Sequence, residues 1–360
     1  MNSVIGIYIY FFILGVSFCS FLVFTKEFKA YALHLVTLVM MLAMALLVLR
    51  DPLAPYDSIN YMSMYNGISD FTSIFDAYHK NYTFSFFQYL GRKFWISPET
   101  YLIVQSLIFF GILVYGLSKI SISDRECLVS VAFFVLTSTF LLLFTNVVRQ
   151  GLALSLFVLS IGYYVSNRKL FSYGLLFLTA FAHSSGMLLV PLFVAAAKIK
   201  LSKKSVVVII LLLPLLPVFS HLFINNLASL GGIAKKIQSL GEREYSNSLV
   251  YAKVFLLYMF SWVLYLGGSW NARSTERLKF ISSIYLMLLA VVLFFLPVLL
   301  VSSRFVYYAS GLIPVLISIL VFHSEIKINY RVKGLCVLVI SVVYGFFVFS
   351  FSSTSAQLGV

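Results

Sequence analysis

Apolar runs separated by short polar breaks dominate the chain, and their lengths suit helices that cross a bilayer at roughly 20 residues per span. Reading run by run predicts spans near 4–24, 31–49, 99–118, 128–145, 151–166, 170–182, 185–197, 205–222, 249–268, 280–300, 305–322 and 335–352. The predicted fold is all-α: a single polytopic transmembrane domain over 1–360, with about twelve transmembrane helices and two larger outer-face loops near 50–98 and 223–248. Three of these runs, 151–166, 170–182 and 185–197, fall below the usual minimum of about 17 residues. Their ends must extend into the flanks, or one pair is re-entrant. A thirteenth stretch, Tyr82 to Trp95, is broken by Gly91-Arg92-Lys93 and reads as an interfacial or re-entrant helix whose aromatics suit the headgroup layer. The first apolar run lacks a basic leader and a small-residue cleavage site, so it is expected to be a retained span.

Composition agrees with this pattern. Of 360 residues, 61% are hydrophobic and 11% charged, and the mean hydropathy is +1.00. Soluble domains carry about a quarter charged residues, so a soluble enzyme, a disordered scaffold and a nucleic-acid reader are excluded. The net charge of +14 reports orientation. Basic residues follow every odd-numbered span: Lys26 and Lys29; Lys119 and Arg125; Arg168 and Lys169; Lys198 to Lys204; Arg273 to Lys279; Lys327 to Lys333. Cytoplasmic loops collect Lys and Arg, which places both long polar loops and both termini outside. Of the three cysteines, Cys19, Cys127 and Cys336, none lies in an outer segment, so no disulfide framework is expected.

Ionisable groups are costly inside a bilayer. Here they concentrate at the outer ends of spans, with only His34 and Lys253 further in. Arg149-Gln150 lies between spans four and five. Its guanidinium either snorkels as a helix anchor or offers a donor fork to phosphate oxygens. His183, followed by Ser184-Ser185-Gly186, lies at the next outer turn, at the same depth. It is either a satisfied structural group or a proton acceptor for a hydroxyl. Arg304, in Ser302-Ser303-Arg304-Phe305-Val306-Tyr307-Tyr308, is an anchor within an aromatic belt or a second phosphate ligand. The loop holding Asp57 and Tyr61 has the Asp, Asn, Tyr and Ser mix of sugar sites, and equally of ordinary polar turns. The 223–248 loop carries Arg243 in a charge run that reads as a solvated face or a lid. No HExxH, CxxC pair or outer Asp-x-Asp is present, so no metal is expected; no P-loop or GxGxxG is present, so no nucleotide cofactor is expected either.

The order of these features resembles the EpsG-like family of Wzy-type polysaccharide polymerases across almost the whole chain. The likeness rests on Asp57 and Tyr61, then Arg149-Gln150 with Ala153, then His183-Ser184, then Arg304-Phe305 with Tyr307-Tyr308. Ala182 stands before the histidine where the pattern leads one to expect an aromatic, and Phe181 is displaced by one. The resemblance implies joining of undecaprenyl-diphosphate-linked oligosaccharide repeat units on the outer face of the bacterial inner membrane, building O-antigen, capsule or exopolysaccharide. It implies Arg149 and Arg304 on the departing diphosphate, His183 as base with Asp57 competing, and Gln150, Tyr308, Tyr61 and Arg243 as substrate contacts. It also implies a separate chain-length regulator and a flippase as partners, with no nucleic acid. A lipid-linked oligosaccharide flippase and a membrane acyltransferase are the competing expectations. Sparse midplane charge speaks against the first, and the outer placement of the basic groups against the second.

Overall fold

The computed structural model describes residues 2–23, 28–49, 57–75, 81–199, 201–227, 248–267 and 276–323, with isolated positions at 53, 55, 334, 337–340 and 342. Every regular element among the described residues is helical. The chain divides into two compact units, one formed by residues 1–190 with 327–360 and the other by 191–326.

The first unit contains α1 (Asn2–Leu22), α2 (Phe28–Leu49), α3 (Ser58–Gly67), α4 (Tyr82–Lys93), α5 (Pro98–Ile120), α6 (Asp124–Val135), α7 (Ser138–Leu141), α8 (Val148–Val165), α9 (Lys169–Ala182) and the start of α10 (Gly186–Lys198). Its centre is the packing of α8 against α5 and α9. Small residues allow the closest approach. A Cβ on Gly116 of α5 would stand 2.8 Å from the backbone nitrogen of Leu159, and one on Gly162 of α8 would stand 2.7 Å from the Lys119 side chain. With lipid outside, the hydrophobic effect gives helices little reason to associate, and such backbone proximity supplies the van der Waals contact instead.

The polar stretch expected as an outer loop is itself folded. It holds α3, a 3₁₀ turn at Thr72–Phe75 and the amphipathic α4. Asp70 organises the turn: its carboxylate accepts from the Thr72 hydroxyl at 2.7 Å and from the Ser73 backbone N–H at 2.9 Å. The expected short helix from Tyr82 is therefore present, and ends at Lys93.

The run expected as span four is not one straight helix. It breaks between α6 and α7, and the axis turns by 81°. Thr137 makes the break, donating to the Phe134 carbonyl at 2.7 Å and accepting from the Phe140 N–H at 3.2 Å. A π-helical turn, Leu142–Asn146, then leads into α8. Helices α9 and α10 keep 14 and 13 residues, so the extension open to them from sequence does not occur.

The second unit contains α11 (Lys203–Leu212), α12 (Leu216–Leu227), α13 (Ser248–Gly267), α14 (Glu276–Phe294) and α15 (Leu299–His323). The expected span 205–222 is present as one apolar helical run over Lys203–Leu222, which tightens to a 3₁₀ turn at Leu213–Leu215, where Pro214 and Pro217 remove backbone donors. Tyr285 of α14 ties to α13 by donating to the Leu257 carbonyl at 2.6 Å. The expected span 280–300 stops at Phe294: Pro297 ends it, and α15 begins at Leu299. Among the described residues, five helices are long and apolar enough to cross a membrane, six if the bent α6–α7 pair counts as one. The run at 335–352 lies outside the described residues except for a few positions.

Candidate functional site

Two tight turns of the first unit create the site. In the first turn of α8, just after the π turn, Gly151 packs directly against the Leu143 carbonyl oxygen, where a Cβ would overlap it. Between α9 and α10, Gly186 packs in the same way against the Thr179 carbonyl oxygen. Each glycine lets a new helix start hard against the last turn of the previous one. Arg149-Gln150 and His183-Ser184-Ser185 are thereby held at the mouths of adjacent turns.

Side chains join the two turns. The Gln150 amide Nε2 points at the Ser185 hydroxyl at 3.5 Å, and that hydroxyl lies 2.6 Å from His183 Nδ1. The backbone N–H of Ser185 also donates to Nδ1, at 3.2 Å. A backbone N–H can only donate, so Nδ1 is an acceptor and the ring proton of neutral His183 is assigned to Nε2. The Ser185 hydroxyl then donates to Nδ1 and accepts from Gln150. All three side chains are buried, His183 at the margin with 9% exposure.

The third wall comes from α3. The Arg149 guanidinium stands over the Tyr61 ring with Cζ 5.5 Å from its centroid, a geometry in which the ring face attracts the cation. Asp57 precedes α3, and its backbone N–H donates to Asn146 Oδ1 at 3.1 Å, pinning the start of α3 to the π turn. Burial pushes the Tyr61 pKa up; the Arg149 charge opposes this, and the Asp57 charge adds to it. Tyr61 therefore stays a neutral phenol at ordinary pH. Beneath it, the Tyr61 carbonyl accepts from Gln88 of α4 at 3.2 Å.

Several buried polar atoms in this unit have no hydrogen-bond partner. They include Arg149 Nε, Gln88 Oε1, Thr145 Oγ1 and both amide atoms of Gln105. An unmet buried group costs about 1–3 kcal/mol, so each marks a place where water or a polar ligand completes the bonding. Arg149 Nε matters most. It is a cationic donor, held by an aromatic face and left to be satisfied by something else.

Of the residues singled out from sequence, Asp57, Tyr61, Arg149, Gln150 and His183 come together here. Asn146, Ser185 and Gln88 join them and were missed. Short polar side chains at turns carry no signal of their own, although Asn146 and Ser185 flank the two motifs. Arg304 and Tyr308 lie in the second unit. Arg304 is the sixth residue of α15, half-buried, while Tyr308 is fully buried with its ring 6.2 Å from that of Phe305. Arg243 lies outside the described residues.

Fold and site together define a membrane protein that is helical throughout its described residues, with a cationic polar cluster at the ends of neighbouring helices of the first unit. The model of the EpsG family matches residues 34–358, and the chain belongs to that family. The membership points to a polysaccharide polymerase of glycosyltransferase type. No curated protein and no solved structure matches the chain.

Proposed function

We propose that this protein joins oligosaccharide repeat units carried on undecaprenyl diphosphate, in the manner of Wzy-type polymerases. The observation that carries the reading is Arg149: a guanidinium on Tyr61, with a buried unpaired Nε, beside the Gln150–Ser185–His183 chain. In the reaction, a hydroxyl oxygen of the incoming repeat unit attacks the anomeric carbon of the growing chain. The bond from that carbon to the diphosphate oxygen breaks, and the hydroxyl proton passes to a base. Negative charge grows on the departing undecaprenyl diphosphate, where preorganised donors act most strongly. Arg149 is the group for that task, with Arg304 as a second cation.

The hydrogen bonds favour a division of labour between His183 and Asp57. Nδ1 of His183 is already engaged as an acceptor from Ser185, which leaves the ring proton of the neutral imidazole on Nε2. Asp57 is then the better base. Gln150, Tyr61 and Tyr308 orient sugar or phosphate, and Arg243 contributes from the second polar loop. The full reading has about twelve spans in the bacterial inner membrane and the site on the outer face, as the basic loops indicate. A chain-length regulator and a flippase are the partners.

Surface polysaccharide from a host lacking this gene tests the reading. Collapse of a polymer ladder to a single repeat unit is expected, restored by the wild-type gene and not by Arg149→Ala or Arg304→Ala. Full ladders from both inserted variants would overturn the roles given to the arginines. Repeat units trapped on the inner leaflet would mean a flippase instead.

A further inference from the structure

Next to the polar cluster, the first unit holds a cavity of about 450 Å³ between the 3₁₀ turn, α4 and α9. Its volume lies within the ~300–1,000 Å³ of ligand sites. The wall is apolar and mostly aromatic, with Phe71, Phe75, Tyr82, Phe177 and Phe181 prominent. Its one aliphatic hydroxyl, on Thr83, already donates to the Leu178 carbonyl at 3.0 Å. Phe75, Phe177 and Leu178 are exposed at its rim, so the cavity opens outward. A polar headgroup finds nothing to bond there; a hydrocarbon does.

The cavity and the cation are close along two routes. Phe181 lines the cavity and lies two residues before His183, with Ala182 fully buried between them. On the other side, Thr83 adjoins Phe84, whose ring is 5.5 Å from that of Tyr61, the ring that carries Arg149. An unpaired cationic donor at one end and an apolar aromatic cavity at the other fit a molecule with an anionic head and a hydrocarbon tail. We propose that this cavity seats the first isoprene units of the lipid diphosphate whose headgroup meets Arg149. The proposal rests on the polymerase reading for the identity of the head. It also accounts for the displaced aromatic: position 182 is packed shut, and Phe181 is the residue that reaches the cavity.

The test is photolabelling of the full chain in phosphatidylethanolamine–phosphatidylglycerol nanodiscs with a diazirine-bearing farnesyl diphosphate, the labelled peptides being mapped by mass spectrometry. Labels are expected within residues 71–87 and 177–181, competed by unlabelled undecaprenyl diphosphate and not by added phosphatidylglycerol. Arg149→Ala should cut labelling about tenfold. Leu178→Trp, which fills the cavity mouth, should abolish it, whereas Ile108→Trp, at an equally exposed position of α5, should not. Labels spread over other lipid-facing helices, or equal competition by phosphatidylglycerol, would overturn the proposal. So would wild-type labelling in Leu178→Trp. A ladder lost on gene deletion with the labels elsewhere would overturn the cavity and leave the polymerase standing. Labels in the cavity with an unchanged ladder on deletion would do the reverse.

Discussion

Ser185 offers the sharpest test of how the polar cluster works. Ser185→Ala removes one hydroxyl and keeps the turn, since the backbone N–H bond to His183 Nδ1 and the Gly186 contact remain. Two partners lose a bond. The 2.6 Å contact to His183 is short and buried, and losing it should cost about 0.5–1.5 kcal/mol. Gln150, 2% exposed, gives up an acceptor at 3.5 Å, a long bond whose loss adds at the lower end of the ~1–3 kcal/mol range for stranded buried groups. Stability of the purified protein should therefore fall by about 1.5–2.5 kcal/mol, while insertion is retained. The functional effect should be larger than that implies. With one of two bonds to Nδ1 gone, the ring loses orientation, although the Ser185 backbone N–H still holds the ring proton on Nε2. Wrongly presented catalytic groups cost ten- to hundredfold. The assay is polymer length distribution in a deletion host, read beside thermal unfolding of purified protein. Ser185→Thr, which keeps the hydroxyl, should retain most of the wild-type chain length. Unchanged stability and full-length polymer in Ser185→Ala would refute the hydrogen-bonded chain as an organising element.

Other consequences follow from the turns. Gly151→Val puts a branched side chain against the Leu143 carbonyl and must displace the start of α8; a loss of about 1–3 kcal/mol, with polymer failure as severe as for Arg149→Ala, is expected in the same two assays. Asp70 is held below the usual carboxylate range by its bonds to Thr72 and Ser73. Because the folded pKa is the lower one, its contribution is complete above the unfolded value and fades as pH falls through the folded value. Asp70→Asn should therefore erase an acid-side loss of protection in the 3₁₀ turn, read by hydrogen exchange between about pH 5 and 2; an unchanged acid profile would refute the capping role. Tyr61→Leu removes the ring under Arg149 and should weaken binding of inorganic pyrophosphate severalfold, measured by calorimetry, with Tyr61→Phe close to wild type because the ring face remains.

Much of the architecture is already legible in the residues. A bilayer demands long apolar helices whose backbone bonds close within each segment, so runs such as 99–118 announce α5 almost to its ends. The EpsG relationship was legible in the order of Asp57, Arg149-Gln150, His183 and Arg304 along the chain, and the family match spans all four positions.

What the sequence could not settle are breaks within apolar runs and the contacts between turns. The 81° bend after Val135 depends on one threonine bonding in both directions, in a stretch as apolar as any straight span. The stop at Phe294 had a proline as its signal, but hydropathy alone ran past it. Asn146, Gln88 and Ser185 matter through where their partners stand, 89, 27 and 35 residues away. Local pattern fixes which segments become helices, since each closes its own backbone bonds. Only the packing of α3, α4, α8 and α9 decides which side chains at their ends meet, because that is set by close approach at Gly151 and Gly186 and by pairs far apart in the chain.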